Sequence, residues 1–196
     1  MNIADRLTVS RLILAPAFFA VYVVPMRFPE QFADNAGIFV ALCWIIFVVA
    51  ELTDMFDGMA ARKLKQASDF GKLFDPFADT VMQLSCFLCF VIDGIFPAFL
   101  FLIVLYREFG ILFLRNLMLR KGVSMGARKS GKLKTVSYIV AGSAALLYAS
   151  LFRLGVAEAQ LPIFKTAVIV IFCVSVFIAV LSFFDYFSEF RKTPAK

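Results

Sequence analysis

Histidine is absent from this sequence of 196 residues. The absence excludes every mechanism that needs an imidazole, including Ser-His-Asp and Cys-His catalysis, and it excludes a histidine-ligated metal centre. Carboxylates, lysine and tyrosine remain as the candidate acid and base groups.

Cysteine is scarce as well, with four residues that all lie in apolar stretches. Cys86 and Cys89 form a CxxC pair, but a zinc site would need a second pair or histidine ligands. We therefore interpret Cys86 and Cys89 as buried residues of a helix.

Charge is the third shortage: 17% of the residues are charged, against about 25% in a typical soluble domain. Hydrophobic residues make up 62% of the chain and the mean hydropathy is +0.88. Several apolar runs reach the roughly 20 residues that cross a bilayer. These features predict an all-α, polytopic membrane protein that forms a single domain over 1–196, and no cleavable signal peptide is predicted.

Six transmembrane helices are predicted from the apolar runs. An amphipathic interfacial helix over 1–10 is expected to precede them. We interpret Asp75-Pro76 as the start of the third helix, because proline suits a first helical turn. The six spans cover about residues 12–26, 36–62, 71–93, 98–119, 135–152 and 162–186.

The lysines and arginines predict the orientation of these spans. All of them except Arg27, Arg153 and Lys165 fall on the side of the two termini. The positive-inside rule makes that side cytoplasmic, with both termini inside, as in a bacterial-type inner membrane. The net charge of +6 is interpreted as attraction to anionic lipid and phosphorylated ligands. We therefore expect no nucleic-acid partner.

Four aspartates stand out in the hydrophobic background. Asp54 and Asp57 are three residues apart, and Asp75 and Asp79 are four apart, so each pair shares one face of a helix. Acidic side chains at membrane depth are costly and face a cavity or a partner. Close carboxylates repel, and a divalent cation relieves the repulsion. The pattern predicts a metal site, with a structural salt-bridge cluster as the alternative.

The residues beside the aspartates indicate what such a site would bind. Gly58 and Ala61 would let a bulky group approach the backbone, and Arg62 is suited to bind a phosphate. Carboxylates, small residues and an arginine together indicate a diphosphate site, in which two metals bridge phosphoryl oxygens.

The complete spacing is Asp54-x2-Asp57-Gly58-x2-Ala61-Arg62-x8-Gly71-x3-Asp75-x3-Asp79. This motif, over 54–79, resembles the pattern of the CDP-alcohol phosphatidyltransferases. The resemblance implies a six-helix membrane enzyme that uses two divalent cations, Mg²⁺ or Mn²⁺. It implies transfer of a phosphatidyl group from CDP-diacylglycerol to a hydroxyl, with release of CMP, and a homodimer formed through membrane spans.

The resemblance also implies roles for individual residues. Asp54, Asp57, Asp75 and Asp79 would be metal ligands, Asp75 and Asp79 would be catalytic, and Asp79 would also be the base. The nucleotide would be bound by the residues of the motif, namely Asp54, Asp57, Gly58, Ala61, Arg62 and Gly71.

Segments outside the motif resemble the branch of the family that uses glycerol-3-phosphate as the acceptor. They are Asn2 with Leu7-Thr8, Arg11 and Pro16, then Arg107-Glu108-Phe109 followed by Leu114-Arg115, then Gly131-Lys132-Leu133-Lys134-Thr135 and Phe184-Asp185-Tyr186-Phe187. Arginine at membrane depth requires an anionic partner, and Arg107 and Arg115 lie eight residues apart on one face of the fourth span. We therefore predict that the acceptor phosphate is bound by Arg107, Arg115, Lys132 and Lys134.

Other interpretations stay open. Arg107 and Arg115 could pair with Glu108 or extend to the lipid headgroups. The basic residues Lys121, Arg128 and Lys129 could serve orientation alone. Within the family, inositol phosphate, phosphatidylglycerol and serine are alternative acceptors. Outside it, a cation or proton carrier is the alternative, but the acids and arginines crowd one half of the predicted spans, whereas a carrier needs a polar path across.

Overall fold

The computed structural model describes the backbone of residues 3–64, 69–123 and 128–192, and the side chains of residues 8–53, 74–123 and 128–192. The described residues form helices and no strand, so the predicted all-α class is confirmed. The helices are α1 (Ile3–Arg27), α2 (Pro29–Phe32), α3 (Ala36–Leu64), α4 (Asp69–Ile92), α5 (Ala98–Arg120), α6 (Lys129–Arg153) and α7 (Leu161–Lys192).

Five to six of these helices could span a membrane. Five segments are long and apolar enough by length and composition: Thr8–Arg27, Pro29–Thr53, Phe74–Ile92, Lys129–Arg153 and Glu158–Lys192. Helix α5 is more polar, because it carries Arg107, Glu108, Arg115 and Arg120. Its 23 residues extend about 34 Å, which still exceeds the roughly 30 Å of a hydrocarbon core.

Several predicted helix boundaries differ from the structure. Helix α6 begins at Lys129 rather than near residue 135, α7 ends at Lys192 rather than near residue 186, and α1 and α4 differ at their starts. Helix α1 continues unbroken from Ile3 to Arg27, so residues 3–10 form its first turns and an interfacial position for them stays a prediction. The helix start predicted at Asp75-Pro76 is wrong, because α4 begins at Asp69 and Pro76 lies inside it. Proline lacks the N–H that would bond to the preceding turn, so α4 accommodates Pro76 at the cost of one backbone hydrogen bond.

The centre of the bundle is aromatic. The rings of Phe96 and Phe172 stack with their centroids 3.7 Å apart, and Phe87 packs its edge against both of them. Cys86 and Cys89 are buried beside these rings, which confirms their predicted burial. Tight aromatic packing of this kind fixes the helices relative to one another.

A polar cluster closes one end of this core. The hydroxyl of Tyr22 donates a hydrogen bond to Asp93 at 2.7 Å, and Arg153 donates to the same carboxylate at 3.3 Å. The guanidinium carbon of Arg153 lies 3.9 Å from the centroid of the Tyr22 ring. The cluster joins α1, the end of α4 and the end of α6, and the other end of the core carries the candidate site.

Candidate active site

A cavity of about 230 Å³ lies at the end of the bundle opposite Asp93, among α1, α3, α4, α5, α6 and α7. Most of the residues that line it have polar side chains, and cations outnumber carboxylates. The carboxylates are Glu51, Asp79 and Glu108, and the cations are Arg11, Arg107, Arg115, Arg128, Lys132 and Lys134. An excess of positive charge in a partly enclosed space favours an anionic ligand.

A carboxylate pair on α4 includes Asp79, which lines one wall of the cavity. Asp75 and Asp79 are one turn apart on α4, and both contact the guanidinium of Arg11. The Nη2 atom of Arg11 lies 2.5 Å from Oδ1 of Asp75, and Thr8 donates its hydroxyl hydrogen to the same oxygen at 2.9 Å. The side chain of Arg11 is 1% exposed, whereas those of Asp75 and Asp79 are 38% and 41% exposed. Arg11 therefore holds the two carboxylates on one face from the buried side.

The other half of the motif is described only by its backbone. Asp54, Asp57, Gly58, Ala61 and Arg62 lie in the last turns of α3 and Gly71 lies in the first turn of α4, but their side chains are outside the described residues. Their predicted roles stay predictions. Among the side chains that are described, no group of three or more acidic, cysteine or histidine residues could hold a metal ion.

The described pair nevertheless fits a divalent cation. Arg11 contacts the Oδ1 atom of each carboxylate from the buried side, and the two side chains remain 38% and 41% exposed, so carboxylate oxygen stays accessible to a cation. Carboxylate oxygens are the ligands that Mg²⁺ takes in proteins.

The opposite wall contains an ion-pair network. Glu108 is paired with Arg107 at 2.8 Å and with Lys134 at 3.3 Å. Arg107 also donates from Nε to the carbonyl of Ala179 at 3.2 Å and from Nη2 to the hydroxyl of Ser182 at 3.0 Å. The alternative that Arg107 pairs with Glu108 is therefore confirmed. Arg107 joins α5 to α7 and lines the cavity at the same time.

Arg115 differs from Arg107 in its partners. Its guanidinium carbon lies 5.9 Å from the centroid of the Tyr186 ring. Its Nε is buried, and among the described residues no acceptor lies within hydrogen-bonding distance of it. A buried donor without a partner costs about 1–3 kcal/mol. Of the four predicted acceptor ligands, Arg115 thus has the strongest need of an anion.

The CDP-alcohol phosphatidyltransferase family model matches residues 1–180. The chain belongs to this family. It is 41% identical over 196 residues to a CDP-diacylglycerol–glycerol-3-phosphate 3-phosphatidyltransferase of Treponema pallidum, a match that covers 97% of this chain and 89% of that protein. A protein of the same name from Bacillus subtilis is 32% identical over 190 residues, which cover 96% of this chain and 94% of the relative.

The structure of this phosphatidyltransferase adds residues to the site that the sequence interpretation did not place there. Glu51 and Gln83 line the cavity, and so does Arg128, for which orientation alone is one of the open interpretations. Arg128 donates from Nε and Nη2 to the carboxylate of Asp185, at 2.8 and 2.9 Å. A signal for this pair was present: Asp185 is an acid in a largely apolar helix, and such a residue needs a cationic partner.

Proposed function

We propose that this protein transfers the phosphatidyl group of CDP-diacylglycerol to glycerol-3-phosphate, forming phosphatidylglycerophosphate and CMP. The observation that carries the proposal is the cavity, which brings Asp79 into the same space as Arg107, Arg115 and the lysines of α6. A base and a set of cations around one space suit an acceptor that has both a hydroxyl and a phosphate. The names of the two relatives support the same reaction.

In the proposed reaction, Asp79 takes the proton from the acceptor hydroxyl. The hydroxyl oxygen then forms a bond to the phosphorus that carries the diacylglycerol. The bond from that phosphorus to the oxygen bridging the two phosphates breaks, and CMP leaves with the electron pair. Two divalent cations, Mg²⁺ or Mn²⁺, would supply charge stabilisation on the phosphoryl oxygens when bound. Their ligands would be Asp54, Asp57, Asp75 and Asp79, and the CDP moiety would be bound by Gly58, Ala61, Arg62 and Gly71 with the first aspartates.

The acceptor phosphate would lie against the cationic wall. Arg115 would donate its buried Nε–H, and Lys132 and Lys134 would supply further charge from the start of α6. Arg107 uses one hydrogen on each terminal nitrogen for Glu108 and Ser182, and a guanidinium nitrogen carries two. Arg107 can therefore bind the phosphate while it stays in its ion pair.

The same proposal assigns a location. The site would open to the cytoplasm at the inner membrane of a bacterial cell, with both termini inside, and its walls would contact membrane lipid. The distribution of lysine and arginine supports this orientation, and the relatives are bacterial proteins. The proposal includes a homodimer formed through membrane spans, which is supported by the family resemblance alone.

An acceptor panel tests the function. Purified protein in detergent with CDP-diacylglycerol and Mg²⁺ is offered glycerol-3-phosphate, inositol phosphate, phosphatidylglycerol, serine or free glycerol. We expect CMP release and phosphatidylglycerophosphate formation with glycerol-3-phosphate, at a rate at least tenfold above serine or free glycerol, because the cationic wall needs a phosphate that these two acceptors lack (about 1.4 kcal/mol per factor of ten). Equal turnover with serine or glycerol would contradict the assignment of the acceptor.

Replacing Arg115 and Arg107 by alanine should give two different results. Arg115→Ala should raise the KM for glycerol-3-phosphate by about ten- to a hundredfold, because a hydrogen bond to a charged group contributes about 1.5–3 kcal/mol. Its melting temperature should change little. Arg107→Ala should also lower the melting temperature, because it leaves Glu108 with Lys134 alone and removes the links to Ala179 and Ser182. Steady-state kinetics with each substrate varied in turn, and thermal unfolding in detergent, measure both effects. An unchanged acceptor KM in Arg115→Ala would remove Arg115 from the pocket.

A further inference from the structure

The first turn of α6 is held by a carboxylate from another helix. Asp185 of α7 accepts hydrogen bonds from Nε and Nη2 of Arg128, at 2.8 and 2.9 Å, and from the hydroxyl of Ser130 at 2.5 Å. Glu189, one turn further along α7, pairs with Nη1 of Arg128 at 3.0 Å. Arg128 and Ser130 are on either side of Lys129, the first residue of α6. The beginning of α6 is thus attached to α7 on both sides of its first residue.

The charge of α6 explains why this attachment is needed. The chain enters α6 through Arg128 and Lys129, with Lys132 and Lys134 soon after, and no acidic residue lies in the first turn. Cations are unfavourable at a helix N-terminus, where the helix dipole is positive. Asp185 and Glu189 supply from α7 the negative charge that α6 lacks. The hydrogen bonds to Asp185 and then to Glu189 raise the pKa of Arg128 above its ordinary value, so Arg128 stays cationic.

Tyr186, the neighbour of Asp185, contacts the same turn and the arginine of α5. Its side chain is almost fully buried. Its hydroxyl accepts a hydrogen bond from the backbone N–H of Arg128 at 3.4 Å, and its ring lies beneath the guanidinium of Arg115. A Cβ added at Gly131 would lie 2.7 Å from the hydroxyl oxygen of Tyr186. The hydroxyl can approach this turn because residue 131 is glycine.

We propose that Asp185 and Tyr186 are positioning residues for the acceptor phosphate. They hold the first turns of α6 and the guanidinium of Arg115 in one arrangement, so that Arg115, Lys132 and Lys134 line the cavity together. Asp185 is not among the residues that line the cavity, and Tyr186 lines it beside Arg115; each acts through the cations that bind the phosphate. This inference rests on the proposed function, because it takes the cationic wall as the site of the acceptor phosphate.

A clash and its relief test the part played by Tyr186. Gly131→Ala should raise the KM for glycerol-3-phosphate by about tenfold, because the new methyl group displaces either the Tyr186 hydroxyl or the first turn of α6. Tyr186→Phe alone should raise it about two- to threefold. The double variant should return to the value of Tyr186→Phe, because removing the hydroxyl leaves contacts of 3.4 Å or more. Residues in contact show couplings of this size.

Gly142→Ala is the matched control for this experiment. Gly142 is also in α6, and a Cβ there would meet the ring of Phe47 at 3.3 Å, far from the α7 carboxylates in the sequence. It should leave the acceptor KM within about twofold and should not respond to Tyr186→Phe. Failure of Tyr186→Phe to rescue Gly131→Ala would overturn the inference. An equal rise in the KM for CDP-diacylglycerol would overturn it as well.

Charge replacement tests the part played by Asp185. Asp185→Asn should raise the acceptor KM by about tenfold with kcat within about threefold, and Asp185→Glu should recover most of the loss. Glu189→Gln should have a smaller effect, because Glu189 pairs with one nitrogen of Arg128 while Asp185 accepts three hydrogen bonds. The expected changes in KM have the size that is typical of coupling between residues in contact. If Asp185→Asn does not fold, Ser130→Ala removes one of the three bonds and should raise the same KM.

The outcomes separate this inference from the proposed function. A wild-type protein that does not use glycerol-3-phosphate in the acceptor panel rejects the function. A wild-type protein that uses it, with an unchanged acceptor KM in Asp185→Asn and Gly131→Ala, rejects the positioning roles alone.

Discussion

Replacing Asp79 by asparagine is expected to lower kcat by about 10²- to 10⁴-fold, the usual contribution of a positioned general base. An amide cannot take the proton of the acceptor hydroxyl, although it fills the same space between Arg11 and the cavity. Binding of the nucleotide lipid should survive better in Asp79→Asn than in Asp54→Asn, because Asp54 is expected to act on the nucleotide side. Single-turnover rates and the KM for CDP-diacylglycerol measure the two effects separately.

The control for this experiment lies on the same chain segment. Asp93 follows the end of α4 and makes a partly buried cluster with Arg153 and Tyr22, away from the cavity. Asp93→Asn should lower the melting temperature and keep kcat within about threefold. A loss below tenfold in Asp79→Asn would mean that Asp79 is not the base. Titrating metal against the variant separates a lost ligand from a lost base, because excess metal recovers the first in part and leaves the second unchanged.

Removal of divalent cations is expected to abolish the reaction. An excess of EDTA should reduce CMP release to the background rate, and added Mg²⁺ or Mn²⁺ should restore it. Without the metals, the carboxylates of the motif repel one another and the negative phosphoryl oxygens. The contacts of the Arg11 guanidinium with Asp75 and Asp79 remain. EDTA saturated with Mg²⁺ beforehand, at the same concentration, is the control and should have no effect. Full turnover in excess free chelator would contradict the two-metal mechanism.

The long helices and their order could be predicted from the sequence, although several ends could not, because apolar length is a strong signal in a chain that is 62% hydrophobic. The error at Pro76 has a local cause. Proline favours a first turn as a tendency of isolated helices, whereas the contacts of α4 with α1 and α5 stabilise a helix that begins at Asp69. Sequence periodicity could not predict that α1 continues through residue 10 either. Amphipathic first turns have the same sequence pattern whether the helix bends after them or continues.

Within the site, spacing rules found the residues that share a helix and missed those that do not. Asp75 with Asp79, and Arg107 with Arg115, could be grouped because helical periodicity places them on one face. Arg11 contacts Asp79 across 68 positions, and Arg128 contacts Asp185 across 57. No periodicity connects such pairs. The sequence could predict only that such pairs exist, because a charge inside an apolar helix requires a partner somewhere in the fold.

The contacts between α1 and α4 also constrain the order in which this protein can be completed. The carboxylates that Arg11 contacts are synthesised 64 and 68 residues after it, and the carboxylate that Tyr22 contacts is synthesised 71 residues after it. At about 5–20 residues per second of synthesis, the interval is roughly 3 to 14 s. Throughout it the guanidinium of Arg11 has neither Asp75 nor Asp79, and burial of an arginine in hydrocarbon without these two carboxylates is costly. During synthesis, the first turns of α1 are therefore expected to stay at the membrane surface until α4 has been made. Translation itself then times the assembly of the catalytic end of the bundle.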